Sequence, residues 1–160
     1  MPNINQSLLK DYLILDGVPS SVTYYLQNWN GLGISSESVS SGSPFGTIYN
    51  PGNVINFNTL SLTFIIDEEW KVFEEIFNLI YKNAPLETDD YEKTIFDAQL
   101  HIMNNTYKKE VGYIQMYGAY IESVMNVDHS YNVADDTEVK TINAILHYQY
   151  HKFFRNDTEE

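Results

Sequence analysis

Leu60-Ser61-Leu62-Thr63-Phe64-Ile65-Ile66-Asp67-Glu68 is the stretch on which the fold turns. Leu60, Leu62, Phe64 and Ile66 alternate with Ser61, Thr63 and Ile65, and a period of two sends every second side chain to one face, the mark of a half-buried strand. At Asp67 the chemistry changes. Its carboxylate can accept the free amide protons of a helix's first turn, and Glu68 and Glu69 stand where a helix dipole favours anions. Beyond it Trp70, Phe73, Ile76, Phe77 and Ile80 recur at helical spacing, so one stripe packs down while Lys71, Glu74, Glu75 and Asn78 face water. Lys82, Asn83 and Pro85 end the run. The reading is a strand over 54–66 and a helix over 67–82, the only strong helix in the chain, laid across a sheet.

Upstream, Leu9 to Leu15 reads as a strand that stops at the turn signal Asp16-Gly17. In Ser21–Trp29, Val22, Tyr24 and Leu26 alternate with Thr23, Tyr25, Gln27 and Trp29, which suggests a β-hairpin over 8–29. The composition then shifts to Gly, Ser and Pro over 30–53. An extended loop is expected there, carrying Phe45, Ile48 and Tyr49, apolar residues that need something to bury them. Downstream, an acidic connector over 86–93 leads into β-strands spanning 95–154. Ile95–Met103 reaches the turn Asn104-Asn105-Thr106, Tyr107–Tyr117 pairs back, and Ala119–Met125 is a further short strand. After the acidic loop Asp128–Glu138, Ile142, Ala144, Leu146, Tyr148 and Tyr150 alternate along a last strand, and 155–160 is a polar tail. The fold class expected is α+β, mainly β, with seven or eight strands and one helix packed across the sheet in a single domain over 1–160.

Composition narrows the function classes. The 160 residues carry 22 Asp plus Glu against 9 Lys plus Arg, a net charge of −13, the wrong sign for gripping phosphates. The absence of Cys excludes disulfides, thiolate metal sites and a Cys nucleophile. The apolar runs are too short to span a bilayer, and no basic segment followed by an apolar core opens the chain, so synthesis in the cytoplasm is expected. Thirteen Tyr point to strands and to the aromatic surfaces that interfaces favour.

No chemical constellation stands out. His147 and His151 are four apart, roughly 13 Å on a strand, too far to share one metal ion. The acidic stretches 88–92 and 135–138 lack the Gly-centred spacing of an EF-hand, leaving surface calcium a minority reading. Ser40-Ser41-Gly42-Ser43 lacks the strand-to-helix turn of a nucleophile elbow, and Gly31-Leu32-Gly33 lacks the third Gly of a dinucleotide site. No catalytic residue, cofactor or metal is expected, and the chain reads as a non-enzyme.

From 30 to 80 the sequence resembles the tail tube-fold proteins of contractile-tailed bacteriophages, most of all their tail completion, sheath-stabilising or terminator members. The resemblance rests on Leu32-Gly33-Ile34, Pro44-Phe45, Pro51-Gly52, Leu60–Glu68, and the helix with Phe73, Ile76 and Leu79-Ile80, and extends to the aromatic run His147–Phe154. It implies a tail-tube-like β-sandwich or barrel with a flanking helix, assembled as a homo-hexameric ring that completes the tail tube and stabilises the sheath at the neck. The implied partners are tail tube, tail sheath and neck or connector proteins, with DNA passing through the lumen without specific binding. No membrane is involved, and the location is the virion, after synthesis in the bacterial host. The subunit or ring–ring interface would use Leu32, Ile34, Pro44, Phe45, Ile48, Tyr49, Pro51, Gly52, Tyr148, Tyr150, Phe153 and Phe154. Asp67, Trp70, Phe73, Ile76, Phe77 and Ile80 serve as helix cap and core. Major tail tube and baseplate initiator proteins share the fold and are alternative stations. A carbohydrate- or receptor-binding β-sandwich is the alternative of another class.

Overall fold

Residues 12–83, 95–103, 109–125 and 139–156 are described in the computed structural model. The chain runs β1 (Tyr12–Asp16), α1 (Ser20–Tyr24), β2 (Leu26–Asn30), β3 (Ile34–Ser43), β4 (Gly46–Phe57), β5 (Leu60–Ile65), α2 (Lys71–Asn83), β6 (Phe96–Met103), β7 (Glu110–Met125), β8 (Thr141–His147) and β9 (Tyr150–Arg155). Seven strands form one antiparallel sheet in the order β1-β6-β7-β8-β5-β2, with β9 also paired to β7, and β3 and β4 pair separately. The molecule is therefore mainly β, of sandwich type, with no closed barrel.

The alternation around Leu60 builds the core. Leu60, Leu62 and Phe64 of β5 are fully buried, as are Ile142, Ala144 and Leu146 of the neighbouring β8. Leu13 and Leu15 of β1, Phe96, Ala98 and Leu100 of β6, and Met116, Ala119 and Ile121 of β7 join the same cluster. The sheet bends to enclose it. The first half of β7 pairs with β6 and β9, and its second half, from Tyr120, with β8. Between them Gly118 has φ 63°, and a Cβ there would lie 2.8 Å from the Gln149 side chain. Only glycine adopts that corner without strain. Val72, Ile76 and Leu79 of α2 close the core, while Phe73, Phe77 and Ile80 pack half-buried beside them.

Several boundaries differ from the sequence reading, each for a local reason. No hairpin occupies 8–29: β1 pairs with β6, β2 pairs with β5, and Ser20–Tyr24 is helical. Pro19 starts that turn, accepting the Val22 N–H at 3.0 Å, and a bulge between Leu26 and Asn28 turns Leu26 and Trp29 inward in place of a strict alternation. The expected loop over 30–53 is instead most of a long β-hairpin, β3–β4. Ser-rich β3 has no apolar alternation, so the pattern conceals the strand. Pro51 fits into β4 because it faces Ser38 beside a bulge, where a missing N–H disturbs the ladder least.

The strand expected over 54–66 is interrupted at Asn58-Thr59, which separate the hairpin from β5. The helix begins at Lys71, because Trp70 takes φ 59° and breaks helical continuity with Asp67. The Asp67 carboxylate still accepts the Lys71 and Val72 N–H groups at 3.2 and 3.0 Å. Ala119–Met125 is continuous with the strand before it as β7, whereas the last strand divides at Tyr148-Gln149 into β8 and β9. The connector 86–93, the turn 104–106, the acidic loop 128–138 and the end of the tail lie outside the described residues.

Two substitutions at the hairpin separate backbone strain from surface tolerance. Gly31 has φ 97°, and a Cβ there would lie 2.6 Å from the Thr59 carbonyl, whereas one at Gly42 meets nothing within 4 Å. Gly31→Ala is expected to destabilise by more than about 1 kcal/mol and Gly42→Ala by less than about 0.5 kcal/mol in denaturant unfolding.

A second prediction concerns acid. The Val72 N–H bond, helped by the Lys71 N–H, holds the Asp67 carboxyl below its ordinary value, so its contribution is present at neutral pH and lost as pH falls through the depressed value. Between about pH 5 and about pH 2.5 the wild type should lose more thermal stability than Asp67→Asn, whose amide caps without titrating. Equal losses in paired melting curves would refute it.

Candidate assembly surfaces

The hairpin β3–β4 presents apolar groups on both of its faces. Ser40 pairs with Tyr49 and Ser41 with Ile48, so adjacent Tyr49 and Ile48 point to opposite sides. Ile34, Val39, Ile48, Tyr49, Val54 and Ile55 are all exposed, and Phe45 at the tip is fully so. The tip is a two-residue turn, Pro44-Phe45, held by the Ser43 hydroxyl donating to the Gly46 carbonyl at 2.8 Å. Glu37 is the one charge between Ile34 and Phe57. Pro51 is exposed and Gly52 half-buried, the latter because a Cβ would lie 2.5 Å from the Glu37 carbonyl at the bulge.

At the body end the Asn58 N–H donates to the Gly33 carbonyl at 3.0 Å, closing the hairpin's own ladder, and Leu32 and Phe57 anchor it by packing against the core. The Phe57 ring meets His151 at 4.9 Å and Tyr148 at 6.2 Å between centroids. Tyr148 is 8% exposed, which corrects its sequence assignment. It belongs to the core, because the β8 alternation carries past the end of the strand and turns it inward.

The half-sheet formed by β1, β6, the first half of β7, and β9 carries an aromatic row on the face away from the core. Tyr12, His101, Tyr113 and Phe154 are register neighbours across all four strands. Tyr12 stacks on His101 at 4.8 Å and Tyr113 on Phe154 at 5.2 Å, while His101 and Tyr113 meet at a tilt, 5.8 Å apart. Tyr117 and Tyr150 stack beside them at 4.7 Å, with the Lys152 ammonium 5.8 Å from the Tyr150 ring. These rings cover one another's faces instead of lying flat as a platform for a sugar. Tyr150 and Phe154 are partly exposed on this face, and Phe153 is 55% exposed on the other.

The half-sheet of β2, β5, β8 and the second half of β7 has a different outer face. Asn30, Ser61, Ile145 and Ser123 form one row, and Asn28, Thr63, Asn143 and Met125 the next. The Thr63 hydroxyl donates to the Asn143 side-chain carbonyl at 2.9 Å. In a chain of net charge −13 the ionisable groups on this face, among the described residues, are confined to one contact, His147 Nε2 to Glu122 at 2.8 Å. Among the described residues its two edges, β2 and the second half of β7, have no further strand partner.

The remaining sequence candidates sit around α2. Asp67 caps its first amides, Trp70 lies in the preceding turn with the Lys140 ammonium 5.5 Å from its ring, and Phe73 stacks on Phe77 at 4.3 Å. Ile76 is fully buried and Ile80 packs against the core. Among the described residues no cluster of three His, Asp or Glu could hold a metal ion, and no helix is long and apolar enough to cross a membrane. Sequence reading missed the uncharged face and the Phe57–Tyr148–His151 cluster. The first had a signal: the outward positions of the core strands, Ser61, Thr63, Thr141 and Asn143, are polar without being charged. The second had none, because it joins three elements distant in the chain.

No protein-family model matches the chain, and no curated protein matches it in sequence. Solved structures do match. A chain of the PVC sheath–tube complex of an extracellular contractile injection system, in its extended state, superposes with a TM-score of 0.68 at 10% identity, over 97% of this chain and 95% of that one. The PVC sheath/tube terminator in the extended state gives 0.68 at 11% identity, over 96% and 99%. The tube-terminating cap of the anti-feeding prophage gives 0.65 at 13% identity, over 91% and 88%. The chain has the tail-tube fold over nearly its whole length.

Proposed function

We propose that the chain is a non-enzymatic structural subunit of a contractile phage tail or phage-tail-like particle, one that forms a homo-hexameric ring at the end of the tube as its completion or terminator protein. The observation that carries this reading is the match to the tail-tube fold over almost all of both chains, with a terminator among the proteins matched. In this reading residues 1–160 act as a single domain, made in the bacterial cytoplasm and incorporated into the particle, where it meets tube, sheath and neck proteins. A tube or baseplate station would rest on the same fold, since a sheath–tube complex and a baseplate also supply matching chains.

The surfaces suit such a ring. The unpaired edges β2 and second-half β7 belong to one half-sheet, so β2 of one copy can extend the β7 edge of the next until six copies close the wall and no edge remains. The uncharged face would then line the lumen. DNA would slide past because amides and hydroxyls, with the Glu122 carboxylate as the one acid, offer phosphates nothing to grip, while most of the chain's acidity lies elsewhere. The hairpin, apolar on both faces, is the arm that docks on a neighbouring copy or ring through Ile34, Pro44, Phe45, Ile48, Tyr49 and Pro51, and Phe153, Phe154 and Tyr150 offer the second apolar patch.

Light scattering across a concentration series, with negative-stain images of the same samples, tests the proposal. Six-fold rings support a terminator, and stacked tubes move the assignment to the tube. Phe45→Ser combined with Tyr49→Ser should raise the concentration needed for assembly at least about tenfold while leaving the monomer's melting temperature unchanged, because both side chains are exposed. Assembly unaffected by that pair would remove the hairpin from the interface, and a strict monomer at every concentration, alone and with tube protein, would overturn the ring.

A further inference from the structure

The root of the hairpin holds buried polar atoms that no described residue satisfies. Phe57, the last residue of β4, is half-buried against the core, with His151 of β9 at 4.9 Å and 74° and Tyr148 at 6.2 Å and 62°; the His151 and Tyr148 rings lie 5.7 Å apart. The Tyr148 hydroxyl and His151 Nδ1 are both sealed from solvent and, among the described residues, have no hydrogen-bond partner. Sealed polar groups without partners are unfavourable in a folded chain, and here two of them meet under one phenylalanine.

The hairpin is otherwise lightly attached. Its ladder is internal, β3 to β4, and separate from the seven-stranded sheet, so it can swing as an intact unit with no sheet hydrogen bond broken. Among the described residues the contact opposing such a swing is the packing of Leu32 and Phe57 against the body; the Asn58 to Gly33 backbone bond closes the hairpin's own ladder and moves with it.

We propose that Phe57, Tyr148 and His151 form an acid-sensitive latch, in which neutral His151 is accepted between the two rings and its protonation frees the hairpin from the body. Among the described residues the surroundings offer the cation no counter-charge. Across the ladder His151 faces Met116 of β7, from the hairpin it meets Phe57, and from the β8–β9 link Tyr148. The charged groups on its own strand are cations: Lys152, which reaches over Tyr150, and Arg155. Burial pushes the His151 imidazole below its ordinary value and the Tyr148 hydroxyl above its own. The latched form therefore binds a proton less readily than the released form, and acid below about pH 6.5 shifts the balance toward release. His101 of β6 and His147 of β8 sit beside carboxylates, Glu110 at 3.1 Å and Glu122 at 2.8 Å, and neither is among the rings that meet Phe57.

Because the chain contains no Cys, a spin-label pair can be placed without background, using Phe45→Cys at the hairpin tip and Asn78→Cys on the exposed side of α2, diluted in unlabelled protein. Pulsed dipolar spectroscopy should give a narrow distance distribution at about pH 7.5 that at least doubles in width at about pH 5. His151→Phe should stay narrow at both. Tyr148→Phe, which deletes the stranded hydroxyl, should keep the acid response, as should His101→Asn and His147→Asn. An unchanged wild-type distribution overturns the latch, and so does equal broadening in His151→Phe. Should His151→Phe not fold, loss of the response in His101→Asn or His147→Asn would overturn it instead.

Discussion

The architecture depends on one strand serving two half-sheets. β7 is sixteen residues long, and at Gly118 it turns a corner that hands its pairing from β6 and β9 to β8. The core forms inside that bend, since Met116 on one side of the corner and Ala119 and Ile121 on the other enter the same cluster. The division of the final strand at Tyr148-Gln149 has the same origin. β8 and β9 run along one flank of β7, so where β7 turns they must break, and the Gln149 N–H bonds the Tyr117 carbonyl at the break. Tyr148 is thereby driven inward to meet the root of the hairpin.

What could be read in the sequence follows from where physical signals are strong. Leu60, Leu62 and Phe64, and Ile142, Ala144 and Leu146, declare their strands because one face is buried and the other is not, and burial writes itself as alternation. The stripe from Phe73 to Ile80 declares a helix in the same way. The signal fails where burial does not decide structure. β3 is exposed along nearly its whole length, so nothing in Ser35 to Ser43 had to alternate, and the hairpin looked like a loop. It fails again at Trp70, where a turn with positive φ delays a helix whose cap residue, Asp67, was identifiable. The apolar residues of the hairpin were identifiable as surface candidates because Gly, Ser and Pro around them offer no core. Which faces they occupy depended on a register that only the structure supplies.

Charge distribution explains how copies with thirteen excess negative charges could approach one another. Like charges at contact distance are costly and only partly screened within a Debye length. The hairpin and the outer face of the β2-β5-β8-β7 half-sheet are nearly free of net charge. Both are built from hydroxyls, amides and apolar groups, so contact there removes little hydration from ions.

The separateness of the hairpin's ladder carries a consequence for the chain before it meets any partner. Its β3 edge, which has no further strand partner among the described residues, is a row of amides and carbonyls flanked by small serines, a template on which an identical edge could stack without limit. The bulge at Glu37 interrupts that row with an irregular backbone and a like charge repeated on every copy. Both are features by which an exposed strand edge disfavours stacking on its own copies, and here they leave the apolar groups on β4 free.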